Sequence, residues 1–114
     1  MHETMVAQSL LATITAEAKK QKARPILAKI SCGMLNDVNE EILSFAMEAI
    51  TKGTRCEGVK IEVDHKPIRG KCNKCKKKFA FEVASPVCSE CGSNDFNLLP
   101  DEPLVLEEIE FERE

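Results

Sequence analysis

Apolar residues recur along the first part of the chain at a spacing that predicts an amphipathic helix. Val6, Leu10 and Ile14 stand four residues apart within residues 4–22, and the opposite side is polar. Pro25 cannot continue such a helix because proline lacks the backbone N–H that the helix requires. We therefore expect one helix over residues 4–22, with its apolar side against a core.

Three later stretches alternate apolar and polar residues, which is the two-residue period of a half-buried strand. The first covers residues 26–32 and stops at Gly33. The second covers residues 59–63 and is stopped by Pro67, and the third covers residues 104–111. We expect these three strands to form one small sheet.

A second helix is predicted between the first two strands. Asp37 or Asn39 can cap its start, and the glutamates that follow suit the positive end of the helix dipole. Gly53 is a suitable residue for its end. We expect the side that faces the core to consist of the regularly spaced apolar residues Ile42, Phe45, Ala46, Ala49 and Ile50.

Four cysteines between the last two predicted strands have the spacing of a metal site. Cys72, Cys75, Cys88 and Cys91 form the pattern C-x2-C-x12-C-x2-C, two pairs that can close around one tetrahedral zinc. Four thiolates fill the coordination shell, which favours a structural zinc over a catalytic one. Iron in a rubredoxin-like site and a dithiol redox motif are the alternatives. The remaining cysteines are interpreted as small apolar fillers, namely Cys32 and Cys56.

The segment of about 30 residues around these cysteines lacks a helical period and is too short to fold unaided. A structural zinc contributes on the order of 10–16 kcal/mol of apparent binding energy, which is enough to order it. We therefore predict an α+β fold in which two helices pack on a small three-stranded sheet, with an inserted zinc-ribbon module. The predicted division is an α+β domain of residues 1–67, completed by residues 101–114, and a ribbon module of residues 68–100.

Composition places the chain among ordinary water-soluble proteins. Of its 114 residues, 43% are hydrophobic and 31% are charged, and no apolar run approaches the roughly 20 residues that span a bilayer. The start lacks the pattern of a secretory signal, so we expect a cytoplasmic protein. In that reducing setting, six cysteines indicate metal binding rather than disulfides. No constellation of catalytic residues can be picked out to indicate an enzyme.

Charge is unevenly distributed along the chain. Residues 66–78 carry seven basic side chains and no acid, whereas residues 101–114 carry seven acids and one arginine. The basic run permits an alternative interpretation, a zinc-ribbon module that binds nucleic acid or protein. A simpler interpretation is that the lysines offset the formal charge of −2 on a zinc held by four thiolates. Because the chain contains no Tyr or Trp, it offers few aromatic side chains that could stack on nucleic-acid bases, and we expect no nucleic-acid binding.

The first residues of the chain are a second candidate metal site. His2 stands one residue from the amino terminus, so the terminal amine, the backbone nitrogen of His2 and its imidazole can surround one ion through fused chelate rings. The backbone nitrogen of Glu3 can add a fourth donor. A planar set of nitrogen donors favours Ni(II) or Cu(II). His65 lies just before the cysteine segment and is interpreted as a surface residue that could reach a metal if the two modules fold together.

Several short motifs follow one another along the chain: Met-His-Glu at the start, Ile-Ser-Cys-Gly at 30–33, Leu-Ser-Phe-Ala-Met-Glu at 43–48, Lys-Gly-Thr from 52 and the two C-x-x-C pairs. Together they resemble the HypA/HybF family, the nickel metallochaperones of [NiFe]-hydrogenase maturation. The resemblance covers essentially the whole chain in order. The combination of an amino-terminal Met-His-Glu with a zinc ribbon is specific to that family.

The resemblance implies a protein that carries nickel as cargo and holds zinc as a structural ion. His2 would be the principal nickel ligand, supported by backbone donors of residues 1–3, and the cysteines at 72, 75, 88 and 91 would bind zinc. The implied partners are a maturation GTPase and the hydrogenase large-subunit precursor, with the chain as a monomer or homodimer. Some relatives add an aspartate near the second helix as a nickel ligand. Here Asn39 occupies that position, with Glu40 or Asp37 as substitutes.

Overall fold

The computed structural model describes residues 2–36 and 38–113 of the chain. Along the chain it contains α1 (Glu3–Gln21), β1 (Arg24–Gly33), a short 3-10 turn (Met34–Asn36), α2 (Glu40–Thr51), β2 (Lys60–Lys66), β3 (Ile68–Cys72), β4 (Lys78–Phe81), β5 (Phe96–Leu98) and β6 (Val105–Glu112). The molecule is elongated, 55 × 24 × 16 Å. No described helix combines the length and the apolar character that crossing a membrane would take.

The first sheet has the strand order β2-β1-β6 and supports both helices. β1 and β2 are parallel, with α2 in the connection between them, whereas β1 and β6 are antiparallel. Parallel neighbours require such a crossover because a tight turn can join only antiparallel strands. The prediction of two helices on a three-stranded sheet is therefore confirmed.

The apolar side of α1 packs on this sheet as its spacing predicts. Val6, Leu10 and Ile14 are buried and form one core with Ala28 and Ile30 of β1. Full burial of a side chain as large as that of Ile14 contributes about 1.5–3 kcal/mol to stability. Two cysteines also belong to this core and are completely buried, which confirms their interpretation as apolar fillers: Cys32 and Cys56.

The prediction of the core-facing side of α2 is wrong in part. Phe45 is 74% exposed and Ile42 is 55% exposed, whereas the buried residues are Leu43, Met47 and Thr51. Only Ala46 and Ile50 of the predicted face pack against the core. Because α2 carries apolar residues on more than one side, its sequence period does not determine which side faces α1 and β2. Packing against α1 and β2 determines which side of α2 is buried.

The second sheet has the strand order β4-β3-β5, and both pairs are antiparallel. Its small core consists of three phenylalanines and the cysteines. The rings of Phe79 and Phe96 meet edge to face with centroids 5.2 Å apart, and Phe81 lies 4.9 Å from Phe96. Strands of three to five residues with one aromatic cluster bury little apolar surface. The cysteines must therefore supply much of what holds this sheet together.

The chain returns from the second sheet across the end of β1. The Gly33 N–H donates to the Glu102 carbonyl at 2.9 Å, and the side chain of Asp101 covers the buried α-carbon of Gly33. A Cβ at Gly33 would overlap the carboxylate of Asp101. An alanine at this position would push the end of the Asp101 side chain aside.

Gly33→Ala is expected to lower the free energy of unfolding by about 1 kcal/mol, because the added methyl needs to displace only the end of the half-buried Asp101 side chain. Urea unfolding followed by circular dichroism measures the loss. If the overlap is the cause, the double variant with Asp101→Ala should lose less than the sum of the two single variants. Additive losses would contradict this explanation.

Candidate metal centres

The four cysteines of the C-x2-C-x12-C-x2-C pattern come together at one end of the second sheet. Their sulfur atoms all lie within 4.8 Å of one another. The Cys72 and Cys91 sulfurs are 3.6 Å apart, as are those of Cys75 and Cys88. Sulfurs bonded to zinc at ~2.3 Å in a tetrahedron stand about 3.8 Å apart. The cysteines are therefore arranged to hold one tetrahedral metal ion.

Two tight turns place each pair of cysteines. In the first, the amide of Cys75 donates to the Cys72 sulfur at 3.4 Å, and Lys76 N donates to the Cys72 carbonyl at 3.0 Å. In the second, Gly92 N donates to the Cys88 carbonyl at 2.8 Å. Both turns end in a left-handed residue, with φ of 65° at Lys76 and 74° at Gly92. A lysine adopts this conformation reluctantly, so the first turn carries backbone strain that metal binding would offset.

Hydrogen bonds to the first turn keep the two halves of the cluster together. The Asn73 amide donates to the Asp95 carbonyl at 2.9 Å, and its side-chain amide donates to the Asp95 carboxylate at 2.9 Å. Phe96 follows directly and packs on Phe79, next to the buried Cys72 and Cys88. The strand that precedes the first cysteine pair is thus tied to the segment that follows the second.

Hydrogen bonds, burial and neighbouring thiols shift the pKa values of Cys72, Cys75 and Cys91 in different directions. The Cys75 N–H stabilises the thiolate of Cys72 and lowers its pKa to about 6. The Lys77 N–H acts in the same direction on Cys75, but burial and the neighbouring thiols prevail and raise the pKa of Cys75 to about 11. The Ser93 N–H acts to lower the pKa of Cys91, but the neighbouring Cys72 thiol and burial prevail and raise it. A divalent ion removes this conflict because it binds all four sulfurs as thiolates.

No other group of three or more potential ligand side chains converges within residues 2–36 and 38–113. Four protein sulfurs leave no open position on a tetrahedral ion, so this centre can hold a metal but offers no site for substrate. Cys91 is the exposed member of the set, and Cys72 and Cys88 are buried. The cysteines of the first core, Cys32 and Cys56, lie outside the cluster.

His2 occupies the position just before α1. Its backbone is extended, with φ −84° and ψ 112°, and its exposed side chain makes no capping hydrogen bond. The helical ladder begins where the Val6 N–H donates to the His2 carbonyl at 3.1 Å. The backbone N–H groups of His2 and Glu3 precede this ladder and are not consumed by it. Met1, whose amine belongs to the predicted nickel site, lies outside the described residues.

The side chain of Glu3 connects the start of α1 to the start of α2. Its carboxylate accepts a hydrogen bond from the Asn39 N–H at 2.9 Å, and this bond lowers the pKa of Glu3. The Asn39 side chain in turn accepts from the Ile42 N–H at 2.9 Å, which confirms Asn39 as the cap of α2. The other candidate cap, Asp37, lies outside the described residues.

Two side chains considered as further nickel ligands, Glu40 and His65, already have structural contacts. Glu40 accepts a hydrogen bond from the Val63 N–H of β2 at 2.6 Å. His65 Nε2 lies 3.2 Å from the Val38 carbonyl, next to the capping residue. The structure therefore places Glu3, Asn39, Glu40 and His65 around the start of α2, without joining them to His2 in a ligand cluster.

Two contacts could not be predicted from the sequence. These are the hydrogen bond of the Glu3 carboxylate with the Asn39 N–H and the contact of Gly33 with the returning segment 101–102. The sequence signal for Glu3 is its position in the Met-His-Glu motif, which indicates only a backbone donor. The sequence signal for Gly33 is its place in Ile-Ser-Cys-Gly, which indicates only the end of a strand. Both residues contact parts of the chain that are distant in sequence.

Glu3→Gln is expected to lower the melting temperature at neutral pH, since the uncharged amide is a weaker acceptor for the Asn39 N–H. The pKa of Glu3 is lowered in the folded chain, so its contribution is present above the unfolded pKa and is lost as pH falls through the folded pKa. The difference between the two proteins should therefore shrink in acid. Melting curves at pH 7 and pH 3, with Glu17→Gln at the other end of α1 as the control, test this. A difference that persists at pH 3 would contradict it.

This chain is similar to known proteins of one family along nearly its whole length. A family model described as hydrogenase/urease nickel incorporation, metallochaperone, hypA, matches residues 1–111. The hydrogenase maturation factor HypA of Nostoc punctiforme is 31% identical over 112 residues, which cover 98% of this chain and 96% of that protein. HypA of Geobacter sulfurreducens is 30% identical, with coverage of 98% and 100%.

The fold is also that of solved structures. The solution structure of the Ni metallochaperone HypA from Helicobacter pylori aligns over 100% of both chains with a TM-score of 0.63 and 21% identity. A second solution structure of a HypA protein aligns over 100% of this chain and 98% of its own, with a TM-score of 0.69. With the family model matching nearly the whole length, this chain belongs to the HypA family of nickel metallochaperones.

Proposed function

We propose that this protein binds Ni(II) at its amino terminus through His2 and delivers it to the large subunit of a [NiFe]-hydrogenase during maturation. The observation that carries the proposal is the placement of His2, exposed on an extended backbone immediately before α1 in a member of the HypA family. In this proposal the chain has no catalytic activity of its own. It acts by holding an ion and releasing it to another protein.

The chemistry of the amino terminus supports nickel as the ion. The imidazole of His2, its backbone nitrogen and the terminal amine form fused chelate rings, and nitrogen donors in a plane suit Ni(II) or Cu(II). The two amides that would have to deprotonate, those of His2 and Glu3, precede the first hydrogen bond of the helical ladder. Nickel binding therefore does not require α1 to unwind. Because the donors must lose protons, nickel affinity should fall with acid.

The four-cysteine centre is proposed to hold a structural zinc. Its sulfur separations of 3.6 Å fit a tetrahedral ion, and its closed shell excludes a catalytic role. Iron would fit the same four sulfurs. Metal analysis of the purified protein distinguishes the two, since iron in such a site is coloured and redox-active whereas zinc is neither.

The proposed partners are the maturation GTPase of the same pathway and the hydrogenase large-subunit precursor. Membership in a family of hydrogenase and urease nickel incorporation supports partners of this kind. The ribbon module, residues 68–100, would help to orient the chain on one of them. Both a monomer and a homodimer are compatible with this role.

Nickel titration of tag-free protein by isothermal calorimetry tests the proposal. The expected result is one nickel ion per chain, with the four-cysteine centre already filled. A variant with one additional residue before Met1 is the sharpest comparison, because it moves the amine out of the chelate but retains the imidazole. Its nickel affinity should be much weaker. Equal affinity would show that the amine is not a ligand, and the site would then have to be formed by His2 with other side chains such as Glu40 or His65.

A nucleic-acid-binding ribbon is the second candidate function, favoured by the lysines at 71, 74 and 76–78, which are all exposed. One of them, Lys77, already lies 3.7 Å from the carboxylate of Glu90. If these lysines only balance a zinc–thiolate charge and solvate the surface, binding to a random DNA duplex at physiological salt should be undetectable. Fluorescence anisotropy measures it. Sub-micromolar binding that weakens steeply with salt would support the nucleic-acid function instead.

A further inference from the structure

A cleft beyond the last residues of the two helices is lined mainly by positively charged side chains. Its volume is about 550 Å³, and its lining residues are Lys22, Ala23, Arg24 and Arg55. Lys22 follows α1 directly, Arg24 is the first residue of β1, and Arg55 stands in the loop after α2. No carboxylate of the described chain is among the lining residues. We refer to this site as the basic cleft.

The three cations of the basic cleft have no carboxylate partner. None of them forms an ion pair within residues 2–36 and 38–113. The carboxylate of Glu57, in the same loop as Arg55, accepts a hydrogen bond from the Gly53 N–H at 2.7 Å instead. Glu112 stands opposite Arg24 in the pairing of β1 with β6, and its exposed side chain does not bond the guanidinium. The cleft therefore concentrates three positive charges without direct compensation.

Contacts within the chain hold one wall and the floor of the basic cleft in place. Arg24 Nη2 donates to the Glu57 carbonyl at 3.1 Å, which ties the start of β1 to the loop after α2. A guanidinium has five N–H donors, so this bond leaves others for a ligand. Ala23 is 3% exposed, and its N–H donates to the Ala18 carbonyl at 3.2 Å. The cleft is thus built on a fixed backbone with one anchored arginine.

Lys22 occupies a backbone position that favours glycine. Its φ is 51° and its ψ is 45°, the left-handed conformation at the end of α1. Helices that end in this way usually have glycine there, and sometimes asparagine, because a Cβ is disfavoured. The cap itself uses only the backbone, since the Lys22 N–H donates to the carbonyls of Ala18 and Lys19. The ammonium group is therefore not needed for the cap and contributes only its charge to the cleft.

Stabilisation of the helix ends does not account for all of this charge. Cations are favourable near the carboxyl-terminal end of a helix, but the effect is confined to the last turn. In α1 that turn already contains Lys19 and Lys20. Arg55 lies beyond the last turn of α2, where the Thr51 carbonyl is already bonded by the Thr54 N–H at 2.9 Å and the Thr54 hydroxyl at 2.7 Å. Arg55 is thus positioned for the cleft and not for the helix.

The charge and the lining of the basic cleft indicate the class of ligand. Phosphate oxygens match the fork of N–H donors on arginine, and two linked phosphates bring several negative charges where a carboxylate brings one. Small-molecule sites have volumes of about 300–1,000 Å³, so a cleft of about 550 Å³ has room for such a group. No aromatic side chain of the described residues lines it, so a nucleotide base has nothing to stack on.

We propose that the basic cleft binds a diphosphate group through Lys22, Arg24 and Arg55, whether the group is inorganic diphosphate or part of a nucleotide. Recognition is by charge and by hydrogen bonds to phosphate oxygens. The inference goes beyond the proposed function and does not depend on it. The 19 residues of α1, about 28 Å of helix, separate the cleft from His2. A ligand in the cleft therefore leaves the proposed nickel site uncovered.

Isothermal calorimetry with inorganic diphosphate tests the proposal on the full-length, zinc-loaded and nickel-free chain at physiological salt. The expected result is one diphosphate per chain with a Kd below about 1 mM. Arg55→Gln should weaken binding at least about 10-fold, because one charged donor group is lost. Arg69→Gln is the matched control, since it removes an exposed arginine from the basic run of the ribbon and should bind like the wild type.

Lys22→Gly separates ligand binding from stability. It should also weaken diphosphate binding about 10-fold, yet its melting temperature should be equal to or above that of the wild type, because glycine accepts a positive φ. A lower melting temperature with unchanged binding would show a purely structural role for Lys22 and overturn its place in the site.

Three further results would overturn the basic cleft as a diphosphate site. The first is no saturable binding at 1 mM diphosphate, about the weakest affinity that the proposal allows. The second is an equal loss in Arg69→Gln, which would indicate diffuse attraction to basic residues. The third is ADP binding far tighter than diphosphate binding, because the base would then be a main determinant. Equal affinities are expected. His2→Ala should bind diphosphate normally, so a failure of the nickel proposal would not be mistaken for a failure of this one.

Discussion

Cys88→Ala is expected to release the bound metal and to unfold β3, β4 and β5, while α1, α2 and the first sheet remain folded. The cluster loses one of its four sulfurs, which all lie within 4.8 Å of one another, and three sulfurs no longer close the shell. Without the ion, strands of five, four and three residues have only the phenylalanine cluster to hold them together. That is too little apolar burial for independent stability.

Metal analysis and limited proteolysis measure this outcome. The variant should contain no zinc, and cleavage should concentrate within residues 68–100, while the helical signal is retained. Cys56→Ala is the matched control because Cys56 is an equally buried thiol in the first core and should leave the metal in place. Retention of one zinc per chain by Cys88→Ala would show that the centre does not depend on four cysteines.

His2→Ala is expected to lower nickel affinity by roughly 100-fold or more. Loss of a residue that only positions a metal ligand typically costs about 10–100-fold in metal affinity, and loss of the ligand itself should cost more. The remaining amine and backbone amides will not readily deprotonate around nickel without the imidazole as an anchor. Zinc content and the helical signal should stay the same, because His2 is exposed and lies outside both cores.

Calorimetric titration of nickel into tag-free protein measures the effect of His2→Ala. His65→Ala is the matched control, since it removes the other histidine of the chain and is expected to leave nickel binding in place. A large loss in His65→Ala with little loss in His2→Ala would move the site to the contact between His65 and the Val38 carbonyl.

Much of the fold could be predicted because its signals are local. Val6, Leu10 and Ile14 lie on a single apolar side of α1, so one burial pattern satisfies the sequence. The cysteine motif is also local, because two turns of a few residues bring each pair of sulfurs together. The buried side of α2 could not be predicted in the same way. Leu43 and Phe45 are both apolar, and only the position of neighbouring elements decides that the first is buried and the second exposed.

Contacts between distant segments had no sequence signal at all. Glu3 and Asn39 are 36 residues apart, and neither has a periodic pattern that relates it to the other. The approach of Asp101 to Gly33 likewise depends on the path by which the chain returns from the ribbon. Local sequence patterns therefore predict the helices, the strands and the cysteine centre. The contacts around the amino terminus can be known only from the three-dimensional structure.

The ribbon is inserted between β2 and β6, so its folding, which depends on the metal, sets the effective length of the loop that connects these two strands. The Leu99 N–H donates to the Arg69 carbonyl at 2.9 Å, so the folded ribbon closes on itself near its base. The effective loop from Lys66 to Val105 then has about nine residues instead of about 38. Closing the shorter loop costs less conformational entropy, which favours the pairing of β6 with β1 by about 1 kcal/mol of free energy. A metal ion held by the four cysteines would thus act as a distant cross-link, and its removal should slightly loosen a sheet that it does not contact.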